Sequence, residues 1–310
     1  MSHPGPAPHP TEHEHVSRHP IARALFAIHS HPRLSWILFL AYAAAVTFPH
    51  ENVQWFVNEI AIRITHPNLY RLSAAIALAL GALCTGLLLH GARRQPQKRL
   101  AIGLWLLTIA LIGGAWGSLT ANNVELVHYP QYFPEGIALA ALTLSPMEAL
   151  SWIVVFGGLD ESYQYFVLSK GRPTLLDFND IYMDLLGGAA GIVFAMAFLH
   201  CVRDPKARRW MSDRKRPGAI VIASLLAIGI VLWALGLMLV VEDKTNPHYW
   251  FALGRFRAPS FWAHIVANGP NHYHTLTPVE GVVLILSTIG LYVALTRKYV
   301  LGTRTRGGAL

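Results

Sequence analysis

The apolar residues of this chain are gathered into about eight stretches, most of them about 20 residues long, the length at which a helix crosses the hydrocarbon core of a bilayer. Only 14% of the 310 residues are charged, against about 25% in soluble proteins. The sequence therefore predicts an all-α fold, a polytopic bundle of transmembrane helices. The predicted spans cover residues 34–48, 72–91, 100–118, 123–144, 147–167, 177–201, 218–241 and 279–296.

These spans divide the chain into four parts. Residues 1–33 are rich in histidine and proline and are expected to form a mobile cytoplasmic tail. Residues 34–99 hold two spans, residues 100–201 form a four-helix core, and residues 202–310 hold two more spans. Each outer pair of spans is joined by an external segment.

Both external segments are predicted to lie along the membrane surface. Residues 50–65 carry apolar side chains at helical spacing with polar ones opposite, the pattern of an interfacial helix. Residues 242–277 are rich in tyrosine, tryptophan and phenylalanine, which favour the headgroup region. The expected fold therefore includes interfacial helices in the external loops.

The distribution of basic residues predicts the orientation. With eight spans, 18 of the 25 Lys and Arg residues fall on the side that holds both termini. Because cytoplasmic loops are enriched in Lys and Arg, both termini are predicted to be cytoplasmic. The excess over 17 Asp and Glu is explained in this way, so the lipid bilayer is the expected partner and no nucleic acid is needed.

Two pairs of glycines have the Gly-x-x-x-Gly spacing that lets helices approach closely. They are Gly113 with Gly117 and Gly187 with Gly191. Without side chains between them, two backbones can come into contact. The spacing therefore predicts close packing of the third and sixth spans against neighbours.

Charged and polar residues occur near the external ends of the fourth, fifth and sixth spans. They are Glu125, His128, Asp160, Glu161, Gln164, Asp177, Asp180 and Asp184, with Arg172 in the loop between the last two spans. A charge in hydrocarbon costs about 2.5–3.5 kcal/mol, so such residues usually face a protein interior or a wet cavity. Because these helix ends share one level, the sequence predicts an outward-facing acidic pocket.

We assign catalysis to Glu125, His128, Asp160 and Glu161, and ligand binding to Gln164, Arg172, Asp177, Asp180 and Asp184. A divalent cation is a candidate cofactor, because carboxylates bind hard cations. His272, His274 and Glu280 form a weaker candidate metal site. The alternative is purely structural: the acids bond to neighbouring polar groups and fix helix packing.

The residues of this region resemble the VanZ-like family of bacterial membrane proteins. The matching residues are the run GGLDESYQYF at Gly157–Phe166, followed by Arg172, Asp177, Asp184, Gly187 and Gly191, and preceded by Glu125 and His128. The resemblance covers about residues 100–200. Two departures are a longer loop before Arg172 and an Asp at 184, where the family often has Asn.

The resemblance implies an envelope-related role in the inner membrane of a bacterium, since the family is associated with teicoplanin resistance. The ligand expected from it is an envelope lipid or a glycopeptide-related molecule. Two other classes stay open: a proton- or ion-coupled transporter and a non-catalytic membrane scaffold. The sequence contains neither a Gly-x-Ser-x-Gly nor a His-Glu-x-x-His motif, so no motif of this kind identifies a reaction.

Overall fold

The structure is a computed structural model of the chain. It describes residues 20–93, 98–121, 123–199, 216–245, 248–256, 261–264 and 272–305. Most of the predicted N-terminal tail lies outside these residues.

The described chain is almost entirely helical. The helices are α1 (Pro20–Ser30), α2 (Pro32–Thr47), α3 (His50–Ile64), α4 (His66–Ala92), α5 (Lys98–Ser118), α6 (His128–Thr143), α7 (Pro146–Tyr163), α8 (Phe178–Leu199), α9 (Pro217–Ala234) and α10 (Pro278–Thr305). A 3₁₀ turn, Asn123–Val127, precedes α6, and a π-helical turn, Gln164–Leu168, follows α7.

Several of these helices can cross a membrane. Helices α4, α5, α8, α9 and the Pro278–Thr296 part of α10 are long and apolar enough, so the described chain has the character of a multi-pass membrane protein. Helices α2, α6 and α7 coincide with the other three predicted spans, but α2 has only 16 residues and none of the three is among these five. The total of eight spans stays a prediction.

Helix α8 forms the centre of the bundle. Its most apolar 18-residue window is 100% buried, whereas the corresponding windows of α4 and α9 are only 6% buried. Helices α5, α6, α7 and α10 all pack against α8. The interior helix is therefore surrounded by protein, while α4 and α9 turn most of their surface outward, as lipid-facing helices do.

Close packing of α6 and α8 depends on glycine. A Cβ atom on Gly191 would meet the Phe133 carbonyl oxygen, and one on Gly136 would meet the Gly188 carbonyl oxygen. The prediction for the Gly187 pair on α8 is therefore confirmed, because these backbones touch. The prediction for Gly113 and Gly117 is wrong: a Cβ on either would meet nothing within 4 Å, since no described element packs on that face of α5.

Residues 20–30, assigned from the sequence to a mobile tail, form helix α1. Its Ala22 and Leu25 are fully buried, and α1 packs against α6 and α8. The side chain of His29 hydrogen-bonds the Ala141 carbonyl oxygen at 3.2 Å. Apolar side chains on one helical face draw this segment onto the bundle.

Helix α3 agrees with the amphipathic helix expected after the first span. It exposes large apolar side chains, which are Val53, Trp55, Phe56 and Ile62. Exposed large apolar side chains are typical of a helix that contacts the membrane interface.

The second external segment was expected to contribute an interfacial helix, and its described residues form short strands instead. Strand β2 (Phe251–Ala252) pairs in parallel with β1 (Met238–Leu239), which lies before this segment, at the end of the predicted span 218–241. Strands β3 (Trp262–His264) and β4 (His272–His274) pair antiparallel. Aromatic and β-branched residues favour strands, which explains why an aromatic-rich loop pairs rather than coils.

Candidate functional site

The centre of the site is His128, the first residue of α6, held between two carboxylates of α8. Its Nδ1 atom lies 2.8 Å from Oδ1 of Asp184, and its Nε2 atom lies 3.5 Å from Oδ2 of Asp180. A spacing of four residues puts both aspartates on one face of α8. All three side chains are largely enclosed, with exposed fractions of 7% for His128, 0% for Asp184 and 18% for Asp180.

In this arrangement His128 and either aspartate can exchange a proton across a short distance. A carboxylate only accepts hydrogen bonds, so the Nδ1 proton of His128 points to Asp184. The second nitrogen then faces Asp180, and a favourable contact there needs a proton on either Nε2 or the Asp180 carboxyl group. The three groups are therefore arranged for acid–base chemistry.

The end of α7 adds two further carboxylates. Asp160 and Glu161 are 1% and 3% exposed, and Glu161 interacts electrostatically with Asp160, Asp180 and Asp184. Gln164 donates a hydrogen bond of 2.8 Å from Nε2 to Oε1 of Glu161. We call the five titratable residues His128, Asp160, Glu161, Asp180 and Asp184 the His128 cluster.

Two further residues predicted to belong to the site, Asp177 and Glu125, bond to the backbone and also interact electrostatically with the cluster, Asp177 with His128 and Glu161, and Glu125 with Asp180. Asp177 precedes α8, and its Oδ1 accepts from the backbone N–H of Asn179 at 2.9 Å and of Asp180 at 3.4 Å. This is the geometry of a helix N-cap. Oε2 of Glu125 accepts from the backbone N–H of Ala121 at 2.7 Å. These contacts of Asp177 and Glu125 are the ones expected if acids in this region fix helix packing.

Arg172 does not reach the cluster. Its side chain is exposed, and no salt bridge joins it to a carboxylate among the described residues. Arg172, predicted to bind a ligand, therefore lies apart from these carboxylates, in an exposed loop. A nearer basic group is His50, at the start of α3.

His50 was not recognised from the sequence as a neighbour of the site. Burial lowers the pKa of His50, and the negative charge of Asp160 acts in the opposite direction. Asp160 also lies beside Thr47, the last residue of α2. The connection between α2 and α3 therefore covers the α7 side of the cluster, a contact that no local sequence pattern announces.

Several buried oxygen atoms in and around the cluster have no hydrogen-bond partner among the described residues. They are Oδ2 of Asp184, Oδ1 of Asp160, Oε2 of Glu135 and the Tyr129 hydroxyl. Leaving a buried polar group unpaired costs about 1–3 kcal/mol. Gly157 of α7 faces Asp184, since a Cβ there would come within 2.8 Å of its Oδ2. The cluster thus retains unused acceptor capacity in an enclosed space.

Helix α6 extends the polar region inward. His128, Tyr132 and Glu135 follow one another at spacings of four and three, which is one helical face. Tyr132 is 1% exposed and Glu135 is also 1% exposed, and both interact electrostatically with Asp160 and Asp184. The helix continues through Pro134, so Glu135 lies about 10 Å along the axis from His128.

Asn179 connects the cluster to the second external segment. Its Nδ2 donates to the carbonyl oxygens of Leu119 at 2.8 Å and His274 at 2.7 Å, and its Oδ1 accepts from the backbone N–H of Leu276 at 2.8 Å. These bonds hold the start of α8 against the loop that precedes α10. The asparagine within the acidic run is the sequence signal for this anchor.

In the weaker candidate metal site, His274 pairs with Glu280 and His272 packs against an aromatic ring. Nε2 of His274 lies 3.3 Å from Oε2 of Glu280, and its Nδ1 lies 2.7 Å from the Phe261 carbonyl oxygen. The ring of His272 packs edge-on against Trp262. Within the described ranges, no group of three or more His, Cys, Asp or Glu side chains is arranged to hold a metal ion.

Comparison with known proteins adds no identification. No protein-family model, curated protein or solved structure matches this chain. The similarity to VanZ-like proteins therefore stays a prediction from the quoted residues. The function has to be argued from the geometry of the His128 cluster.

Proposed function

We propose that this chain is a VanZ-like membrane protein of the bacterial envelope, and that its His128 cluster binds the polar headgroup of an envelope lipid or glycopeptide-related ligand. The observation that carries the proposal is an enclosed imidazole between two carboxylates. The Asp184 carboxyl group also interacts with the Tyr132 side chain. Carboxylates grouped beside an imidazole suit a ligand that donates hydrogen bonds.

The charges of the cluster restrict the ligand further. The carboxyl groups of Asp160, Asp177, Asp180 and Asp184 interact electrostatically with one imidazole, and Arg172 is exposed. A phosphate or carboxylate would be repelled in this setting, since like charges interact strongly at low dielectric. A hydroxyl or amine group fits, because it can donate a hydrogen bond to a carboxylate oxygen.

Lipid retention by the full chain tests this proposal. The protein is expressed in a bacterial host and purified in amphipol, and the lipids that remain bound are identified by mass spectrometry. The variants are His128→Gln and Asp184→Asn, and the matched control is the exposed Arg172→Gln.

We expect a retained lipid with hydroxyl or amine groups in its headgroup, and a decrease of about tenfold in both cluster variants. A tenfold change corresponds to about 1.4 kcal/mol, the scale of one charge-assisted hydrogen bond. The control should keep the wild-type amount. Equal lipid retention in all four proteins would refute binding at the cluster.

Proton transfer through the membrane is the second candidate, and the polar face of α6 favours it. His128, Tyr132 and Glu135 are buried at successive turns, and Oε2 of Glu135 has no partner among the described residues. Buried acids in a membrane helix commonly mark proton paths. This candidate predicts proton flux in reconstituted vesicles that Glu135→Gln abolishes. Flux without headgroup retention would favour the transporter over the headgroup-binding protein.

A further inference from the structure

A second concave surface lies next to the π-helical turn that follows α7. The residues of interest in its lining are Tyr165, Phe166, Glu242, Tyr249, Trp250 and Arg255. The cleft has a volume of about 190 Å³. The turn begins at Gln164, which bonds to Glu161, so this cleft follows the His128 cluster directly along the chain.

Hydrogen bonds fix the walls of the cleft. The Tyr165 hydroxyl donates to the Ala252 carbonyl oxygen at 2.8 Å. The Arg255 guanidinium donates to the carbonyl oxygens of Tyr165 and Ser169, and it stacks 4.2 Å from the centre of the Tyr165 ring. A preformed site avoids the cost of ordering side chains when a ligand binds.

The aromatic surface of this cleft remains accessible. Trp250 is 70% exposed and Phe166 is 39% exposed. Glu242 stands beside them, and its Oε1 accepts from the Tyr249 hydroxyl at 2.9 Å. Flat apolar rings with a few fixed polar groups are the usual lining of small-molecule sites.

The polar groups select a neutral ligand. Glu242 and Arg255 place one negative and one positive charge in the same lining. The two charges offset each other, so the cleft favours neither a cationic nor an anionic ligand. A sugar ring offers C–H faces to aromatic rings and hydroxyl groups that both donate and accept hydrogen bonds. The volume is below the about 300–1,000 Å³ of pockets for drug-sized ligands, which suits a single ring.

We propose that this cleft binds one ring of a neutral sugar. The inference deepens the proposed function, on which it rests, by naming a glycosylated envelope molecule as the ligand class. The hydroxyl groups of such a ligand are also the hydrogen-bond donors that suit the His128 cluster.

Anchoring in the membrane interface is the competing use of these aromatic residues. Interfacial tryptophan and tyrosine side chains serve that purpose in many membrane proteins. Anchoring requires no concavity and no Glu–Arg combination, whereas the cleft holds Glu242 and Arg255 among its rings. Trp233 on α9 is 60% exposed and does not line the cleft, so it serves as the matched control for a merely lipid-facing tryptophan.

Saturation-transfer NMR of the full chain in amphipol, which carries no sugar, tests the inference. The probes are methyl β-glucoside, methyl β-galactoside and N-acetylglucosamine, with choline and inorganic phosphate as charged alternatives. The variants are Trp250→Ala and Glu242→Gln, and the controls are Trp233→Ala and the exposed Arg172→Gln. Because Glu242→Gln preserves size and hydrogen bonding, it keeps the test valid if Trp250→Ala does not fold.

We expect saturable binding of at least one sugar, weakened about tenfold or more by Trp250→Ala or Glu242→Gln and unchanged in both controls. Three results would overturn the inference: no saturable sugar signal, preference for choline or phosphate, or equal effects of Trp250→Ala and Trp233→Ala. Lipid retention by the cluster variants His128→Gln and Asp184→Asn is measured without added sugar, and sugar binding by the cleft variants is measured without added lipid, so either proposal can fail without the other.

Discussion

Replacement of Gly191 by alanine should force α6 and α8 apart beside the His128 cluster. A Cβ at Gly191 would run into the Phe133 carbonyl oxygen and lie 3.0 Å from the Ile137 nitrogen. These are backbone atoms, which cannot rotate away as a side chain can. The matched control is Gly117→Ala, because Gly117 belongs to a motif of the same spacing and has nothing within 4 Å.

The two substitutions share one favourable contribution and differ in the other. Alanine is preferred to glycine inside a helix by about 1 kcal/mol. Overpacking of a tight interface costs about 1–3 kcal/mol, and more where backbone must move. At Gly191 we therefore expect a net loss of about 2 kcal/mol in the free energy of unfolding, and at Gly117 no loss or a small gain.

Thermal unfolding of the purified chain in one fixed detergent measures both effects. A loss of about 2 kcal/mol corresponds to a decrease in Tm of about 4–8 °C. Gly191→Ala should also lower lipid retention, because α6 carries His128 and α8 carries its carboxylate partners. If Gly191→Ala and Gly117→Ala unfold at the same temperature, the backbone contact between α6 and α8 is not what we describe.

Two further predictions concern the charges of the cluster. His128→Ala leaves Asp184 and Asp180 buried without their imidazole, so the free energy of unfolding should fall by about 3–5 kcal/mol. The exposed Arg172→Ala should change it by no more than about 0.5 kcal/mol, and an equal loss in both would contradict our account. Separately, Asp160→Asn should lower the pKa of His50 further, because the carboxylate charge raises that pKa against the effect of burial. NMR titration of ¹³C-labelled histidines measures the pKa of His50. An unchanged or raised His50 pKa in Asp160→Asn would show that the Asp160 charge does not act on His50 as described.

The membrane character and the acidic cluster could be predicted from local pattern. Stretches of apolar residues predict helices that can cross a bilayer because each helix satisfies its own backbone hydrogen bonds. Spacings of three and four residues predict which side chains share a helical face. These rules depend on neighbours along the chain, and they correctly grouped His128 with the acids at the ends of α7 and α8.

The two Gly-x-x-x-Gly motifs pack differently because the motif does not specify which helix lies opposite it. Gly187 and Gly191 touch α6, whereas Gly113 and Gly117 meet no other described residue within 4 Å. The basic residues Arg172 and His50 show likewise that nearness in sequence does not predict which side chain lies beside the acids. The arginine nearest in sequence turns outward, and the histidine that adjoins Asp160 comes from a segment more than 100 residues away.

The sequence by itself determined that the chain is helical, that its helices suit a membrane, and that acidic residues lie near the ends of three consecutive predicted spans. Only the tertiary structure decided which acids bond to backbone N–H groups, as Asp177 and Glu125 do, and which contact His128 directly, as Asp180 and Asp184 do. The physical reason is that burial and pairing depend on what packs opposite a side chain. Helical periodicity places a side chain on a face, but the energy of a charge on that face is set by residues distant in the chain.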